Sequence, residues 1–226
     1  VRSHVPNLHW ILVEDAEVKT NLVTNFLAGE CGVQYTHLHV ETPVDQKLSA
    51  TDPQWIKPRG VLQRNEGLRW LRQNLGGQNG VVYCADDDNT YSTRLFEEMR
   101  HTQRVSVWPV GLVGGLMVEK PKLEWDETKQ SKVVTGWDVG WKPKRPFAID
   151  MAGFAINIQL ILERPNAKFS YQTEGGYQES EFLGHLNIQL SDLEPKAEMC
   201  TKVYVWHTRT EKIDTKMEAK RKSFFL

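Results

Sequence analysis

Short apolar runs alternate with helical patterns through the first half of the chain, and this alternation restricts the possible folds more than any other feature. The strand-like runs are Leu8–Asp15, Thr36–Val40, Val81–Ala85 and Val105–Pro109. The helical patterns between them are Asn21–Glu30, Arg59–Leu75 and a segment from about Ser92 to Arg100. Strands that alternate with helices form βαβ units, whose strands lie parallel beneath covering helices. The sequence therefore predicts an α/β fold with a mostly parallel, helix-covered sheet.

The pattern changes after Gly111. Further strands are predicted at Leu116–Val118, Lys132–Trp137 and Lys202–Trp206, and a helix at Gln178–Leu186. A nearly continuous apolar run, 147–156, contains one acid, Asp150. The segment 45–58 is polar, contains proline and is predicted to be a loop.

Composition excludes several classes of protein. The 226 residues are 40% apolar and 25% charged, as in ordinary soluble domains. A net charge of −1 gives no electrostatic basis for binding nucleic acid. Cys31, Cys84 and Cys200 are too few and too scattered for a disulfide framework or a zinc site. No stretch is apolar enough to span a bilayer, and because the chain does not begin with Met we expect a fragment of a longer protein.

Three adjacent carboxylates, Asp86, Asp87 and Asp88, follow the predicted strand Val81–Ala85, which is expected to be buried on both faces. Adjacent anions repel one another, and a hard divalent cation is the usual compensation because Mg²⁺ and Mn²⁺ prefer oxygen ligands. Ligands of open α/β sheets bind beyond the carboxyl ends of the strands, where this triplet lies. A solvated acidic turn that caps the next helix through residues 88–90 is an equally good explanation of the triplet alone.

Other polar side chains also stand at strand ends or in apolar surroundings. They are Asp15 after the first strand, Arg59 and Arg64 in the first turns of a helix, Asp150, and His207 and Arg209 after the last strand. Each has a structural explanation, such as a cap, a helix surface or a satisfied buried acid. Carboxylates, a metal and arginines gathered at one sheet edge suit a nucleotide diphosphate.

Ten motifs, in order between residues 8 and 212, resemble the β-1,3-glucuronyltransferases, glycosyltransferase family 43. The chain is similar to that family in residues 10–15, 58–60, 63–65, 85–92, 96–100, 106–109, 150–154, 178–180, 193–195 and 206–212. The resemblance implies a GT-A-type fold and inverting transfer of glucuronic acid from UDP-glucuronate to the 3-hydroxyl of a terminal galactose, with Mn²⁺. It also implies that the chain forms a homodimer. It further implies that the chain lies in the Golgi lumen, as the catalytic domain of a type II membrane protein.

The resemblance further implies a role for each site residue. Residues 1–110 form the UDP-sugar and metal-binding half, and residues 111–226 the acceptor-binding half. In the first half, Asp88 binds the metal, Asp87 faces the ribose, Asp86 and Arg64 approach the donor sugar, and Asp15 and Arg59 hold the uridine. In the second half, His207 and Arg209 contact the donor sugar and diphosphate, Glu179 is the catalytic base, and Glu119, Trp141, Arg145 and Asp150 form the acceptor site.

The chain departs from the family pattern at both ends. The family pattern begins with a further strand whose Pro-Thr-Tyr motif stacks an aromatic ring on uracil, and we expect that strand to be missing here. The chain also differs from the family after Lys212, where family members contact the partner subunit. A UDP- or glycan-binding module without turnover is therefore an alternative, and a metal-dependent phosphohydrolase is a third.

The acceptor has two candidates. The segment 55–60 and Trp141 resemble the enzymes that act on Gal-β1,3-Gal-Xyl of the proteoglycan linker, whereas the segment 175–180 resembles those that act on Gal-β1,4-GlcNAc of glycoproteins. We expect the linker acceptor.

Overall fold

The computed structural model describes residues 5–29, 32–49, 52, 56–141 and 144–210. Its first half alternates strands and helices as predicted. The elements are β1 His9–Glu14, α1 Asn21–Gly29, β2 Gln34–His39, α2 Val61–Asn74, β3 Val81–Val82, β4 Thr90–Tyr91, α3 Thr93–Met99 and β5 Val105–Val107. The chain is thus a mixed α/β protein.

The second half begins with a long antiparallel hairpin. Its elements are β6 Val110–Val113, β7 Leu116–Asp126, β8 Ser131–Asp138, β9 Phe154–Asn157, α4 Ile158–Glu163, α5 Gln178–His185, β10 Leu193–Pro195 and β11 Val205–Trp206. Short 3-10 turns lie at Val44–Gln46, Met151–Gly153 and Leu190–Asp192. The sequence predictions missed α4 and the short strands β4, β6, β9 and β10.

The strands form three sheets, ordered β1-β2, β10-β5-β9-β3 and β4-β11-β6-β7-β8. Within the described residues, three strand pairs are parallel (β1 with β2, β10 with β5, β11 with β6) and five are antiparallel. The prediction of a mostly parallel sheet is therefore not confirmed. One reason is the two-residue turn Gly114-Gly115, with φ of +61° and +78°, because so short a connection joins only antiparallel strands.

Strand β3 differs most from its prediction. It has two residues instead of five, both half-buried, and it lies at the edge of its sheet beside β9. The expectation of a strand buried on both faces is therefore wrong for the part of the chain described. The chain leaves the ladder after Val82, so three residues, 83–85, separate the end of the strand from the acids Asp86–Asp88.

Helix α2 confirms its predicted apolar face, since Val61, Leu68 and Leu71 are buried. It begins at Val61 and not at Arg59, because Gly60 precedes it with φ of +69°, in the left-handed region. Arg59 therefore lies in the loop before the helix. The predicted loop 45–58 includes part of the 3-10 turn, while residues 50, 51 and 53–55 lie outside the described part.

Two apolar clusters hold these elements together. The larger packs α2 and α5 against β5 and β9, through Leu68, Phe182, Val107 and Phe154 among others. The smaller packs α3 against β6 and β11, around Leu95 and Trp108. The segment after β11 lies beside the loop after β3, because the hydroxyl of Thr208 donates to the carbonyl oxygen of Asp88. No helix in the described ranges is long and apolar enough to cross a membrane.

Candidate functional site

The three acids Asp86–Asp88 lie in the loop between β3 and β4. The hydroxyl of Tyr91 donates to the carbonyl oxygen of Asp86 at 2.6 Å, and the hydroxyl of Thr208 donates to the carbonyl oxygen of Asp88. Helix α3 is capped by Ser92, whose hydroxyl accepts from the amide of Arg94. Residues 88–90 therefore do not cap that helix, and the acidic-cap interpretation is wrong.

The carboxylates of the loop differ in their partners. Asp86 accepts a hydrogen bond from Arg64 at 3.0 Å, whereas within the described residues no hydrogen bond or ion pair engages the Asp87 and Asp88 carboxylates. The buried side-chain amide of Asn89, next to Asp88, makes no hydrogen bond of normal geometry to any described residue. Free carboxylates beside an unsatisfied polar group leave room for a hydrated ligand.

The fit of this loop to a divalent metal ion depends on how many ligands the chain supplies. No group of three or more His, Cys, Asp or Glu side chains in the described part is arranged to enclose one. Magnesium-like ions are commonly held by one or two carboxylates, with waters and substrate phosphates as their other ligands. Asp88 and its neighbours fit that second arrangement.

Arg64 links the acidic loop to the start of α2. Besides Asp86, its guanidinium donates to the carbonyl oxygen of Arg59 at 2.7 Å. Gly60 permits this approach, since a Cβ there would be 2.8 Å from Arg64 Nη1. Arg64 therefore anchors the backbone of Arg59, whose own side chain is exposed.

Asp15 joins the ends of two parallel strands. It is exposed after β1, and its two carboxylate oxygens accept from the amide and the hydroxyl of Thr42, both at 2.7 Å. Thr42 also accepts from Gln63 of α2 at 3.3 Å. Asp15 is thus not a helix cap, and it is connected through Thr42 to Gln63, the neighbour of Arg64 on α2.

His207 and Arg209 follow β11 and face an open cavity. The amide of His207 donates to the carbonyl oxygen of Gly111 at 2.9 Å, which ties this segment to β6. The cavity, of about 640 Å³, has the turn Gly114-Gly115 on one side and residues 207–209 on the other. The structure therefore places both predicted donor residues at one cavity.

Glu179 lies half-buried in the first turn of α5. Its neighbour Ser180 fixes the helix to residue 147, because the Ser180 hydroxyl donates to the carbonyl oxygen of Phe147 at 2.7 Å. Burial, followed by the charge of Asp150, raises the pKa of Glu179 to about 7, although Arg145 and Arg64 oppose the shift. A carboxylate with a pKa near neutrality is suited to exchange a proton during catalysis.

Asp150 lies within electrostatic range of both Asp86 in the acidic loop and Glu179. Its carboxylate accepts from the amide of Ala152 at 2.9 Å. Burial raises its pKa; the charge of Asp86 acts in the same direction, and His207 and Arg64 act against it. These mutual effects connect Asp150 electrostatically to both halves of the site.

Glu119 and Arg145 lie beyond Asp150 and are both buried. Glu119, on β7, accepts from the amide of Gly140 at 3.0 Å. Burial raises the pKa of Glu119, and the charge of Asp150 adds to the shift. Arg145 opposes the shifts of both Glu119 and Glu179, so it supplies positive charge to a cluster of acids.

Trp141 presents an exposed ring beside this cluster. Trp141 is 47% exposed, and the Arg145 guanidinium lies 5.3 Å from the centroid of its ring. Arg145 also donates to the carbonyl oxygen of Gly176 at 2.6 Å. An exposed, well-anchored aromatic face beside charged groups is suited to stack on a sugar. Residues 142 and 143, which flank it, lie outside the described part.

The structure therefore brings several of the predicted residues within electrostatic range of one another. The pKa values of Glu119, Asp150 and Glu179 are each influenced by charged groups from the set Arg64, Asp86, Arg145, Asp150 and His207. Sequence reasoning missed Tyr91, Thr208 and Gly176. Tyr91 and Thr208 stand inside two of the recognised motifs, but no pattern marks a hydroxyl that holds a distant carbonyl group.

Comparison with known proteins places the chain in a family. The sequence pattern of glycosyltransferase family 43 matches residues 2–211. The human galactosylgalactosylxylosylprotein 3-beta-glucuronosyltransferase 1 is 57% identical over 92% of this chain and 62% of its own length. The human galactosylgalactosylxylosylprotein 3-beta-glucuronosyltransferase 3 is 52% identical over 96% of this chain and 65% of its own length. The Caenorhabditis elegans enzyme sqv-8 is 52% identical over 93% of this chain and 58% of its own length. The chain thus spans about three fifths of the length of these relatives.

Proposed function

The chain belongs to glycosyltransferase family 43, and we propose that it transfers glucuronic acid from UDP-glucuronate to the 3-hydroxyl of a terminal galactose, with inversion, on a GT-A-type fold. The observation that carries this proposal is Glu179, whose pKa is raised to about 7 in a cleft that also contains Arg64 and the acidic loop. The printed names of the relatives, all 3-beta-glucuronosyltransferases, support the same reaction.

The donor binds along the acidic loop in this proposal. Asp15 and Arg59 hold the uridine at the outer end, and Asp87 faces the ribose. Asp86 and Arg64 approach the glucuronate. Arg64 supports this role because its guanidinium is oriented by Asp86 at 3.0 Å and by a backbone carbonyl group at 2.7 Å. His207 and Arg209 line the cavity of about 640 Å³ and contact the donor sugar and the diphosphate.

Asp88 would hold Mn²⁺. The Asp88 carboxylate supports this assignment, because no described residue engages it in a hydrogen bond or an ion pair. When bound there, the metal supplies positive charge that neutralises the departing diphosphate. Arg209 adds to that neutralisation from the chain itself.

Glu179 acts as the general base. In an inverting displacement, one carboxylate takes the proton of the attacking hydroxyl group on the face opposite the leaving group. Its raised pKa makes Glu179 a stronger base than an ordinary glutamate while leaving about half of it ionised near pH 7. Asp150 sustains this pKa through its negative charge, and Arg145 limits it.

The acceptor galactose lies between Trp141 and the acids Glu119 and Asp150. The exposed face of Trp141 stacks on the sugar, and Glu119, Arg145 and Asp150 bind hydroxyl groups. We propose the Gal-β1,3-Gal-Xyl linker of proteoglycans as acceptor, since the relatives' names specify galactosylgalactosylxylosylprotein. The family resemblance also supports two further parts of the proposal. The chain forms a homodimer, and it lies in the Golgi lumen as the catalytic domain of a type II membrane protein.

The experiment that tests this function is transfer from UDP-glucuronate to two acceptors in parallel, Gal-β1,3-Gal and Gal-β1,4-GlcNAc, followed by linkage analysis of the product. We expect a β1,3-linked glucuronate and a higher kcat/KM for Gal-β1,3-Gal. A preference for the GlcNAc-containing acceptor would overturn the acceptor while leaving the donor chemistry intact. If calorimetry shows binding of UDP with Mn²⁺ but the assay yields no product, a binding module would be favoured. Hydrolysis of simple phosphoesters would favour a phosphohydrolase.

A further inference from the structure

Two hydroxyl groups hold the backbone of the acidic loop from opposite directions. Tyr91, on β4, donates to the carbonyl oxygen of Asp86 at 2.6 Å. Thr208, which is 120 residues away from Asp88 in the sequence, donates to its carbonyl oxygen. Both contacts are partly buried, so water competes with them less than at an exposed turn.

The Thr208 hydroxyl belongs to a directed chain of hydrogen bonds. Thr90 and Thr208 hydroxyl oxygens are 3.1 Å apart. A hydroxyl group has one proton to donate, and Thr208 gives its proton to Asp88, so Thr90 must be the donor to Thr208. The pairing of β4 with β11, Val205 opposite Tyr91 and Trp206 opposite Thr90, holds these groups in place.

Fixing these two carbonyl groups fixes the peptide units 86–87 and 88–89, which enclose the 87–88 peptide unit between them. Three adjacent carboxylates repel one another and would otherwise spread apart. Thr208 also stands between His207 and Arg209, which face the neighbouring cavity. The contact therefore joins the acidic loop to the segment that carries the two donor residues.

We propose that the hydroxyl groups of Tyr91 and Thr208 are positioning groups, which hold the backbone of the acidic loop and so direct the Asp88 carboxylate toward a divalent cation bound together with a nucleoside diphosphate. The inference deepens the proposed function and rests on its donor site. It assigns these two residues no contact with substrate or metal.

The test measures binding, independently of turnover. Free Mn²⁺ is followed by electron paramagnetic resonance as the chain is titrated with MnCl₂ in the presence of UDP. Thr208→Val and Tyr91→Phe each remove a hydroxyl group with little change in shape, and Thr208→Ser restores one. Matched controls are Thr135→Val and Tyr35→Phe, which alter exposed side chains of β8 and β2.

We expect Thr208→Val and Tyr91→Phe to weaken Mn²⁺ binding by about three- to tenfold, the usual effect of one hydrogen bond. Thr208→Ser and both controls should bind as the wild type does. Wild-type affinity in Thr208→Val and Tyr91→Phe would overturn the proposal, as would equal losses in Thr208→Val and Thr208→Ser, which would exclude the hydroxyl group as the cause.

Thermal unfolding and a transfer assay separate this inference from its premise. Weakened binding in Thr208→Val at an unchanged unfolding temperature supports positioning, whereas a loss that only parallels unfolding contradicts it. If the wild type binds Mn²⁺ with UDP but transfers no glucuronate, the proposed function fails and the positioning role stands on the binding data. If the wild type binds no Mn²⁺ with UDP, the positioning role fails as well.

Discussion

The ring of Trp141 lies directly against Gly176, so closely that a Cβ at position 176 would be 1.8 Å from Cζ3 of the indole. Gly176 also has φ of +79°, a conformation that residues with side chains rarely adopt. Its carbonyl oxygen accepts from Arg145 at 2.6 Å, and Arg145 covers the Trp141 ring at 5.3 Å. Glycine at this position therefore determines where the proposed acceptor platform lies.

Gly176→Ala should raise the KM for the acceptor because the added methyl group displaces the Trp141 ring. We expect an increase on the order of tenfold, equivalent to about 1.4 kcal/mol. The KM for UDP-glucuronate should not change. Gly184→Ala is the control, since a Cβ there meets nothing within 4 Å, and in helix α5 alanine should raise stability by about 0.5–1 kcal/mol. Equal increases in both KM values for Gly176→Ala would refute the platform role.

Glu179→Gln should lower turnover by about 10²–10⁴-fold, because an amide cannot accept the proton of the attacking hydroxyl group. Calorimetry should show unchanged binding of UDP with Mn²⁺. Glu181→Gln, on the same helix, should keep its activity. A comparable loss of UDP binding in Glu179→Gln would indicate a structural residue instead of a base.

The same substitution should raise stability at high pH. The pKa of Glu179 is raised to about 7 in the folded chain, so the folded state binds a proton more tightly than the unfolded state. Stability therefore falls as pH rises from the ordinary glutamate pKa through about 7. Glu179→Gln removes this dependence, and its unfolding temperature should exceed that of the wild type at pH 8 but not at pH 4. No difference at pH 8 would contradict the raised pKa.

The acceptor-dependent rate should rise with pH through about 7, because only ionised Glu179 accepts a proton. Asp150 is one cause of the raised pKa. In Asp150→Asn, the rate that is left should therefore reach half of its maximum at a lower pH. Measured kcat/KM between pH 5 and 9 tests both expectations, and an unchanged midpoint in Asp150→Asn would exclude the electrostatic link.

Arg64→Lys should weaken UDP-glucuronate binding more than UDP binding. Arg64 donates to both Asp86 and the Arg59 carbonyl oxygen, and one ammonium group cannot reproduce this forked geometry. We expect about a tenfold loss for the sugar nucleotide, the equivalent of about 1.4 kcal/mol. Arg69→Lys, with an exposed ion pair to Glu66 on the same helix, should have no effect. Equal losses of affinity for UDP and UDP-glucuronate would contradict a contact between Arg64 and the donor sugar.

The sequence predicted correctly those helices and strands whose formation depends on nearby residues. The apolar spacing of Val61, Leu68 and Leu71 placed α2 correctly, and Gly111 marked the change to antiparallel hairpins. The pattern failed at Val81–Ala85, since an apolar run does not reveal how many of its residues find a neighbouring strand. Positive φ at Gly60 could not be read from sequence either, and it moved the helix start beyond Arg59.

The site shows the same division. Acids at strand ends indicated the acidic loop, and recognised motifs supplied Glu179 and Asp150. Contacts between distant segments could not be predicted, because periodicity carries no information about which backbone carbonyl group a remote hydroxyl reaches. Thr208 with Asp88 and Gly176 with Trp141 are both of this kind.

Release of UDP from UDP-glucuronate, measured with Mn²⁺ in the presence and absence of Gal-β1,3-Gal, tests the account most directly. The wild type should release UDP only when the acceptor is present, and Asp88→Ala should lose at least about 10²-fold of that rate, since it removes the proposed metal ligand and with it most of the charge stabilisation of the leaving group. Equal release by the wild type and Asp88→Ala, or release that does not depend on the acceptor, would contradict the assignment of this cleft as a glucuronosyltransferase centre.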